Sequence, residues 1–359
     1  MLRNARARRR GLVIGAVGVA LGLAAALAVT SGQRPAQTTS RAAAPRAPGV
    51  SRRVDPGLVD VLSRLGYLHA TSAGTGLVLT SSGEVLTNNH VIEGATSTAV
   101  TDVGNGRTYP AAIVGYDESD DIAVLRLRGA SSLRTVTFGN SSKLAVGEKV
   151  VALGNSGGKR GTPAVATGRI TGLGESITAA DEAAGTAEQL RGLIQVSAAL
   201  QPGDSGGPLV TAAGKVIGLD TAASAAFRFR SGATRSYAIP ANRAVAIAGQ
   251  ITAGSSSATV HVGATGFLGV QLVQAAVPGR PTSTQVIVAG VMAGMPAARA
   301  GLAVGDVIIS VGGRPVSSPS VIQALLVPHH PGDKISISWA DLAGHAHAAT
   351  LVLAAGPAG

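Results

Sequence analysis

Short runs of aliphatic and β-branched residues alternate with turn residues from about residue 68 to residue 250, and this pattern limits the possible folds most strongly. The clearest runs are Gly76–Thr80, Glu84–Thr87, Ala111–Val114, Ile122–Leu127 and Lys149–Leu153. Many short strands at close spacing, with few helical stretches, favour an antiparallel sandwich or barrel over a β-α-β fold. Because aromatic residues make up only 3% of the 359 residues, Val, Leu, Ile and Ala must build the cores.

A second unit is predicted at about 259–355, after a glycine- and serine-rich break at 253–258. Its predicted elements are strands at Val286–Val291 and Asp306–Ser310, a helix at Pro319–Val327 and a strand pair at Ile335–Trp339 and Ala348–Leu353. At about 95 residues, this unit is large enough to fold alone. Ahead of the first unit, apolar residues within 58–65 recur at helical spacing and predict a short lead-in helix.

The net charge of +11 is concentrated at the N-terminus, which argues against nucleic-acid binding. Residues 1–54 contain ten Arg and no acidic residue, so the rest of the chain carries 20 basic and 19 acidic residues. A nucleic-acid-binding face would need an excess of basic residues in a folded domain. The absence of cysteine excludes a disulfide framework, a thiolate nucleophile and a cysteine-ligated metal site.

The first 54 residues have the pattern of a membrane-targeting segment followed by a linker. The Arg cluster at 3–10 precedes an uncharged apolar run at 11–30, which as a helix would be about 30 Å long and could span a bilayer. Residues 1–30 are therefore predicted to anchor the protein in the cell membrane, with the body outside the cytoplasm. Ala26-Leu27-Ala28 leaves open a cleaved signal peptide and a secreted protein. Residues 31–54, rich in Ser, Thr, Pro, Ala and Arg, are predicted to be a flexible linker.

The motif Gly203-Asp-Ser-Gly-Gly-Pro-Leu209 carries the strongest chemical signal. A serine hydroxyl is a weak nucleophile, so it needs a base within hydrogen-bond distance and donors for the oxyanion that its attack creates. Glycines beside Ser205 let successive N–H groups point at one spot, so the amides of Gly203 and Ser205 are the candidate oxyanion hole. Taken alone, the motif also fits a glycine-rich hairpin with an incidental serine.

His90 and Asp121 are the candidate partners of Ser205. His90 follows an apolar strand and is the only histidine of the first unit beyond its opening segment. Asp121 directly precedes an apolar strand, so its carboxylate can be carried inward to hold an imidazole in the correct tautomer. We interpret the neighbouring acids Asp117, Glu118 and Asp120 as parts of a solvated turn.

With these motifs, the chain resembles the HtrA/DegP family of exported serine proteases over about residues 68–355. His90, Asp121 and Ser205 follow the chain order of chymotrypsin-type proteases, and the flanking words TNNHVI, DDIAVLRL and GDSGGPL are similar to those of the family. The resemblance implies a mainly β protein, with a chymotrypsin-like double β-barrel protease domain at 55–252 and a PDZ domain at 259–355. It also implies cleavage of unfolded or misfolded polypeptides outside the cytoplasm, and a homotrimer, for which Tyr67 is the only aromatic residue near the start of the protease domain.

The second unit carries its own resemblance. Phe267-Leu268-Gly269-Val270 is similar to the PDZ loop whose amides bind the C-terminal carboxylate of a peptide while the peptide adds a strand to the sheet. The segments Gly290–Leu302 and Gly305–Ile308 are similar to the centre of PDZ domains in this family. Val321 and Leu325, one helical turn apart, are candidates for lining the peptide groove, or else they are core residues.

One residue departs from the family pattern, and several others bear on substrate specificity. Asp204 stands where the family usually has Asn, and we expect its side chain to face solvent or an Arg. Leu200 and Thr221-Ala222-Ala223 match the specificity pocket and the substrate-pairing strand of the family by position. Small side chains there favour a short aliphatic residue in the substrate.

The sequence therefore predicts a serine endopeptidase that needs no metal or organic cofactor. Its expected partners are unfolded protein or peptide substrates, peptide C-termini at the PDZ domain, and the membrane through the N-terminal helix. The alternative is a catalytically silent chaperone or PDZ scaffold protein of the same fold. His345 and His347 could place two imidazoles on one strand face, but we expect no metal because the sequence shows no nearby acid to complete a site.

Overall fold

The structure is a computed structural model that describes residues 48–155, 161–181, 186–221, 235–277 and 280–357. The predicted membrane anchor at 1–30 lies outside these ranges. Within them, no helix combines the length and the apolar character that crossing a bilayer requires.

Six strands form a first barrel: β1 (Leu58–Leu65), β2 (Ala70–Val78), β3 (Glu84–Thr87), β4 (Ser97–Asp102), β5 (Thr108–Asp117) and β6 (Ile122–Leu127). They pair antiparallel in the order β5-β4-β1-β2-β3-β6, and the pairing of β6 with β5 closes the barrel.

Residues 58–65 form strand β1, so the predicted lead-in helix is wrong. The strand is buried on both faces because Val59 and Val61 belong to the interior of the first barrel, while Leu58 packs into a second hydrophobic cluster. Apolar residues on both faces of a strand imitate helical spacing in the sequence, and pairing with β2 and β4 decides the outcome.

A second closed barrel comprises β7 (Lys149–Gly154), β8 (Ala164–Asp181), β9 (Thr186–Val196), β10 (Pro208–Val210), β11 (Val216–Thr221) and β12 (Ser236–Pro240). Three helices accompany the barrels, namely α1 (Pro48–Val54), α2 (Asn89–Ile92) and α3 (Ala241–Thr252). One hydrophobic cluster joins the two barrels, with Leu86 and Ile122 from the first, Leu153 and Leu219 from the second, and the buried face of α3. Two closed antiparallel barrels confirm the predicted β architecture.

The structure differs from the predicted linker at its C-terminal end. Residues 48–54 form α1, and its Val50 and Val54 are buried in the cluster that joins the barrels. Sequence composition hides this helix because Ser, Pro and Arg surround the two buried valines.

The second unit contains eight strands and two helices within the described residues. The strands are β14 (Gly266–Phe267), β15 (Val270–Val277), β16 (Arg280–Val291), β17 (Val307–Val311), β18 (Arg314–Pro315), β19 (Lys334–Ala340), β20 (Ala346–Val352) and β21 (Ala354–Ala355). The helices are α4 (Pro296–Ala300) and α5 (Pro319–Leu326). The main sheet has the order β15-β16-β17-β19-β20, which places β15 at one edge.

The boundary between the units lies later than composition indicates. Strand β13 (Val260–Val262) follows the break at 253–258 but pairs antiparallel with β5 of the first barrel. Val260 is buried in the cluster that joins the two barrels. The chain therefore adds a strand to the first barrel before it enters the second unit at Gly266.

Candidate active site

His90 and Asp121 form a hydrogen-bonded pair. The His90 Nδ1 atom lies 3.0 Å from each carboxylate oxygen of Asp121, and the His90 backbone N–H donates to Oδ1 over 3.1 Å. Since an ionised carboxylate only accepts hydrogen bonds, Nδ1 carries a proton and donates. In the neutral imidazole, this tautomer leaves Nε2 as an acceptor, which is the state that a general base requires.

Asp121 reaches the imidazole because a tight turn ends there. Its backbone has φ +53°, in the left-handed region, and its N–H donates to the carbonyl of Glu118 over 3.1 Å. The Asn88 side-chain amide donates to the Asp121 carbonyl over 2.9 Å, which ties this turn to the segment that carries His90. His90 itself lies in the short helix α2, directly after β3.

The acids before Asp121 do not form the solvated turn that the sequence analysis expected. Asp117 is buried and accepts hydrogen bonds from Ser119 and Thr259, and Asp120 forms an ion pair with Arg243 of α3 at 3.2 Å. Burial, together with the charges of Glu93 and Asp117, raises the pKa of Glu118 to about 7. Contacts with α3 and with the segment after it cover this turn, and a local sequence pattern does not show them.

The loop that carries Ser205 is held by one backbone hydrogen bond to β11 and one within the loop. The Gly206 N–H donates to the Asp220 carbonyl over 2.8 Å, and the Gly207 N–H donates to the Asp204 carbonyl over 2.8 Å. Because N–H and C=O point in opposite directions across a trans peptide, the held Asp204 carbonyl aims the Ser205 N–H to the opposite side of the loop. The loop therefore presents at least one amide in a fixed direction, as an oxyanion hole requires.

The glycine after Ser205 is required by space and by backbone conformation. Gly206 has φ +81°, and a Cβ atom there would lie 2.0 Å from the Thr75 carbonyl oxygen. The loop therefore packs directly on the backbone of β2 in the first barrel.

Gly74 of β2 brings Ser205 and the His90 segment together. A Cβ atom at Gly74 would lie 2.6 Å from the Val91 side chain and 3.0 Å from the Ser205 carbonyl oxygen. Val91 directly follows His90 in α2. The structure thus brings the three predicted triad residues to one place, where the two barrels meet.

Two threonines support the site in ways that the sequence analysis missed. The Thr75 hydroxyl donates to the Gly203 carbonyl over 2.8 Å and accepts from the Asn155 N–H over 2.8 Å, and the Thr75 N–H donates to the Ser205 carbonyl over 2.8 Å. The Thr221 hydroxyl donates to Asp121 Oδ2 over 3.1 Å. Thr221, predicted to bind substrate, therefore directs its side chain to the carboxylate that orients His90. No local motif marks Thr75, which lies 128 residues before the carbonyl that it binds.

Asp204 does not face solvent, which corrects that part of the expectation for its carboxylate. It is buried, its Oδ2 accepts from the Gln201 N–H over 2.8 Å, and its Oδ1 would lie 2.7 Å from a Cβ atom at Gly154. The turn from Gln201 to Asp204 closes on itself, because the Asp204 N–H donates to the Gln201 carbonyl over 3.0 Å. This turn folds the carboxylate inward.

Of the other predicted specificity residues, Leu200 lies within the described residues. Leu200 is partly buried against the core of the second barrel, and its N–H donates to the Ser236 hydroxyl over 3.3 Å. Ala222 and Ala223 lie outside the described residues.

A cavity of about 650 Å³ is lined both by the predicted peptide groove and by His90. The four predicted loop residues, Phe267, Leu268, Gly269 and Val270, line it, and so does His90. Gly269 has φ +80°, and a Cβ atom there would lie 2.2 Å from the Met295 side chain, so only glycine fits. A peptide bound along β15 would therefore lie in the same space as His90.

Helix α5 presents a different face to this cavity than predicted. Pro319, Ile322, Gln323 and Leu326 line it, at the i, i+3, i+4 and i+7 spacing of one helix face. Val321 and Leu325 do not line it, and Leu325 packs against the core of the second unit. The prediction for these two residues is corrected because the groove side of α5 lies one residue further along the chain.

Direct contacts join the two units at the rim of the cavity. The rings of Tyr67 and Phe267 stack with centroids 5.7 Å apart, and the Gln323 side-chain amide donates to Glu93 over 3.5 Å. Tyr67, the aromatic residue considered above for a trimer contact, thus packs within its own chain.

His345 and His347 do have an acid beside them. Asp341 Oδ2 lies 3.3 Å from His345 Nδ1 and 2.9 Å from His347 Nε2, and the His347 ring stacks on Trp339. The expectation of no nearby acid was therefore wrong, since a turn brings Asp341 back to the strand. Across the described residues, no group of three or more histidine or acidic side chains has an arrangement that could hold a metal ion.

Two closed antiparallel barrels with an Asp–His pair and a Gly-Asp-Ser-Gly loop at their junction are the architecture of the trypsin-like peptidases. Residues 74–219 match the trypsin-like peptidase domain family, and residues 287–340 match the PDZ domain family.

Individual relatives agree with these two matches. The chain is 32% identical to the serine protease PepD of Mycobacterium tuberculosis, with 94% of this chain and 76% of PepD covered. It is 36% identical to the putative serine protease HhoA of Synechocystis, with 70% of this chain and 63% of HhoA covered. A solved structure of the HtrA-type protease AlgW with a tripeptide is 29% identical, has a TM-score of 0.50, and is matched over 87% of this chain and 98% of its own.

The chain belongs to the HtrA family of serine proteases. Its resemblance to that family, inferred from three short motifs, is confirmed. The chain spans somewhat less than two thirds of HhoA and 55% of the Bacillus subtilis protease HtrB, which is 36% identical over the matched part.

Proposed function

We propose that this protein is a serine endopeptidase that cleaves unfolded or misfolded polypeptides outside the cytoplasm. Ser205 is the nucleophile, His90 the general base and Asp121 the residue that orients His90. The observation that carries the proposal is the fixed His90–Asp121 pair, with Nδ1 3.0 Å from the carboxylate, at the junction that also holds the Ser205 loop.

The reaction follows from this arrangement. The Ser205 Oγ attacks the scissile carbonyl carbon while His90 Nε2 takes the hydroxyl proton, and the Asp121 carboxylate stabilises the resulting imidazolium. The amides of Gly203 and Ser205 bind the oxyanion. His90 then returns the proton to the leaving amine, and a water molecule, activated by His90, hydrolyses the acyl-enzyme.

Labelling with a fluorophosphonate probe tests the assignment of the nucleophile. We expect the full-length protein to be labelled and to digest unfolded casein. Ser205→Ala should abolish both, since losing the nucleophile removes most of the stabilisation of the transition state. Ser82→Ala, which changes an exposed serine of the first barrel, is the matched control and should behave as wild type. A folded wild-type protein that is neither labelled nor active would refute the proposal and favour a silent chaperone or scaffold.

We propose further that the PDZ domain binds peptide C-termini in the groove between β15 and α5. Strand β15 is an edge strand of its sheet, which is the feature that strand addition uses. A fluorescent peptide with a free C-terminal carboxylate should bind, and the same peptide with a C-terminal amide should not. Gly269→Ala should abolish binding, while Gly313→Ala, also at positive φ but with open space around it, should not. Equal binding of the two peptides would refute carboxylate recognition.

The proposal of a membrane-anchored protein with an extracytoplasmic body rests on the sequence of residues 1–30. Fractionation of cells that express the full chain is expected to leave it in the membrane after carbonate extraction. A mature N-terminus beginning after Ala28 in the culture medium would refute the anchor and support secretion. The homotrimer that the family resemblance implies also remains a proposal, and sedimentation of the solubilised protein tests it.

A further inference from the structure

A buried carboxyl group without hydrogen-bond partners lies directly behind the nucleophile loop. Asp220 of β11 is 0% exposed, and neither of its carboxyl oxygens has a hydrogen-bond partner in the described part of the chain. Other buried acids of this protein are satisfied: Asp121 by His90 and Thr221, and Asp117 by Ser119 and Thr259. A buried ionised carboxylate without donors or a cation is strongly disfavoured, so Asp220 needs another explanation.

The backbone of Asp220 is hydrogen-bonded to the loop that carries Ser205. The Gly206 N–H donates to the Asp220 carbonyl over 2.8 Å, and the Asp220 N–H donates to the Gly207 carbonyl over 2.7 Å. The next residue, Thr221, donates its hydroxyl to Asp121. Any displacement of this end of β11 would therefore move both the nucleophile loop and the carboxylate that orients His90.

The charged groups around Asp220 make its ionisation unfavourable. Burial and the negative charge of Asp204, which directly precedes the nucleophile, both raise the pKa of Asp220 well above its usual range. On the same strand, and among the described residues, the Thr221 hydroxyl is hydrogen-bonded to Asp121, which is itself paired with His90. Opposite Asp220 on β12 lies the uncharged Ala238, and the hydroxyl of neighbouring Tyr237 is bonded to Gln195.

We propose that Asp220 is a positioning residue that works in its protonated form. The neutral carboxyl group lets β11 and the nucleophile loop pack together beside Asp204. Loss of its proton puts a second negative charge into the same buried region and separates the loop from β11. The inference rests on the proposed protease function, because it concerns the geometry of the same site.

The proposal predicts a loss of activity on the alkaline side that belongs to Asp220 rather than to His90. For the wild-type full-length protein, kcat/KM for fluorescently labelled casein should fall by about tenfold per pH unit above the ionisation of Asp220. The decrease should lie mainly in kcat, since the loop holds the oxyanion donors. It should reverse when the pH is returned to 7.

Asp220→Asn keeps the shape of the neutral acid and cannot ionise. We expect this variant to retain activity near pH 7 and to lose the alkaline decrease, whereas Asp102→Asn, which changes another buried acid, at the end of β4, should retain the alkaline decrease. Asp204→Asn removes the neighbouring charge and should shift the alkaline decrease to lower pH. If Asp220→Asn does not fold, the shift in Asp204→Asn decides, and an unmoved decrease in that variant overturns the proposal.

Three results would each overturn the proposal. They are a wild-type protein that stays fully active at high pH, a folded Asp220→Asn protein with the wild-type alkaline decrease, and a folded Asp220→Asn protein that is inactive at pH 7. Thermal unfolding separates this inference from the protease assignment. Even in a protein without protease activity, the wild-type melting temperature relative to that of Asp220→Asn should fall as the pH rises from about 4, where Asp220 ionises in the unfolded chain, to the raised pKa of Asp220 in the folded protein.

Discussion

Replacing Thr75 by Val tests whether the nucleophile loop depends on the first barrel. The Thr75 side chain is 1% exposed, and its hydroxyl connects the Gly203 carbonyl with the Asn155 N–H at 2.8 Å each. Valine has nearly the same shape but no hydroxyl, so Thr75→Val leaves two buried polar groups without their partner. Each such group costs about 1–3 kcal/mol, so the two together cost about 2–6 kcal/mol.

This free energy has two possible consequences, and both can be measured. If the loop keeps its position, the free energy of unfolding falls by the full amount. If the loop relaxes, the oxyanion donors move, and kcat/KM falls by roughly 30- to 20,000-fold when the full free energy is lost from the transition state, since about 1.4 kcal/mol corresponds to a factor of ten. Chemical denaturation measures the loss in the free energy of unfolding, and casein hydrolysis measures the loss in transition-state stabilisation. Measured on the same sample, the two losses should together account for the cost of removing the hydroxyl.

Two further variants make the test specific. Thr75→Ser retains the hydroxyl and should recover most of the activity and stability. Thr101→Val removes an exposed hydroxyl from the same barrel and should change little. A Thr75→Val protein that is as stable and as active as the wild type would refute the role of this hydroxyl.

Three other perturbations have defined outcomes. Thr221→Val removes a donor to the charged Asp121 and should lower kcat by roughly 10- to 100-fold with little change in KM, as measured by steady-state kinetics. Glu118→Gln should stabilise the protein by roughly 1–2 kcal/mol at pH 8 and have no effect near pH 4, as measured by calorimetry. The reason is that Glu118, with its pKa raised to about 7, lowers the stability of the wild-type protein as pH rises from about 4.5 to 7. Gly206→Ala should abolish labelling by a fluorophosphonate, since its Cβ would overlap a buried carbonyl, while Gly106→Ala, at positive φ in open space, should not.

The motifs that carry the chemistry were predictable because they are local. The carboxylate of Asp121 is carried inward by the turn that the sequence places before β6. The Gly-Asp-Ser-Gly motif is contiguous in the sequence, although its loop also accepts hydrogen bonds from Thr75 of the first barrel. Helix α5 and the β19–β20 pair were also identified from short-range patterns.

The features that were missed depend on contacts between distant segments. Pairing with β2 and β4 makes residues 58–65 a strand, although their apolar residues recur at helical spacing. The hydroxyl of Thr75 acquires its role only once the first barrel meets the second, because its partners Gly203 and Asn155 belong to the second barrel. The inward direction of Asp204 follows from its turn with Gln201 and from close packing against Gly154. The groove-facing residues of α5 were predicted one position too early. This helix has apolar residues on several faces, so its sequence does not show which face borders the groove.

The pairing of β13 with β5 leaves only three residues, 263–265, between the first barrel and the first strand of the PDZ domain. Because this linker is so short, the PDZ domain rebinds its docking surface as an intramolecular event, at an effective concentration that a free partner in solution rarely reaches. Weak contacts such as the Tyr67–Phe267 stack are then sufficient to keep it in place. Any competitor for this surface must therefore overcome the high effective concentration of the tethered PDZ domain as well as its local affinity. Lengthening the linker with glycine and serine is the simplest way to weaken the docking without altering a single contact.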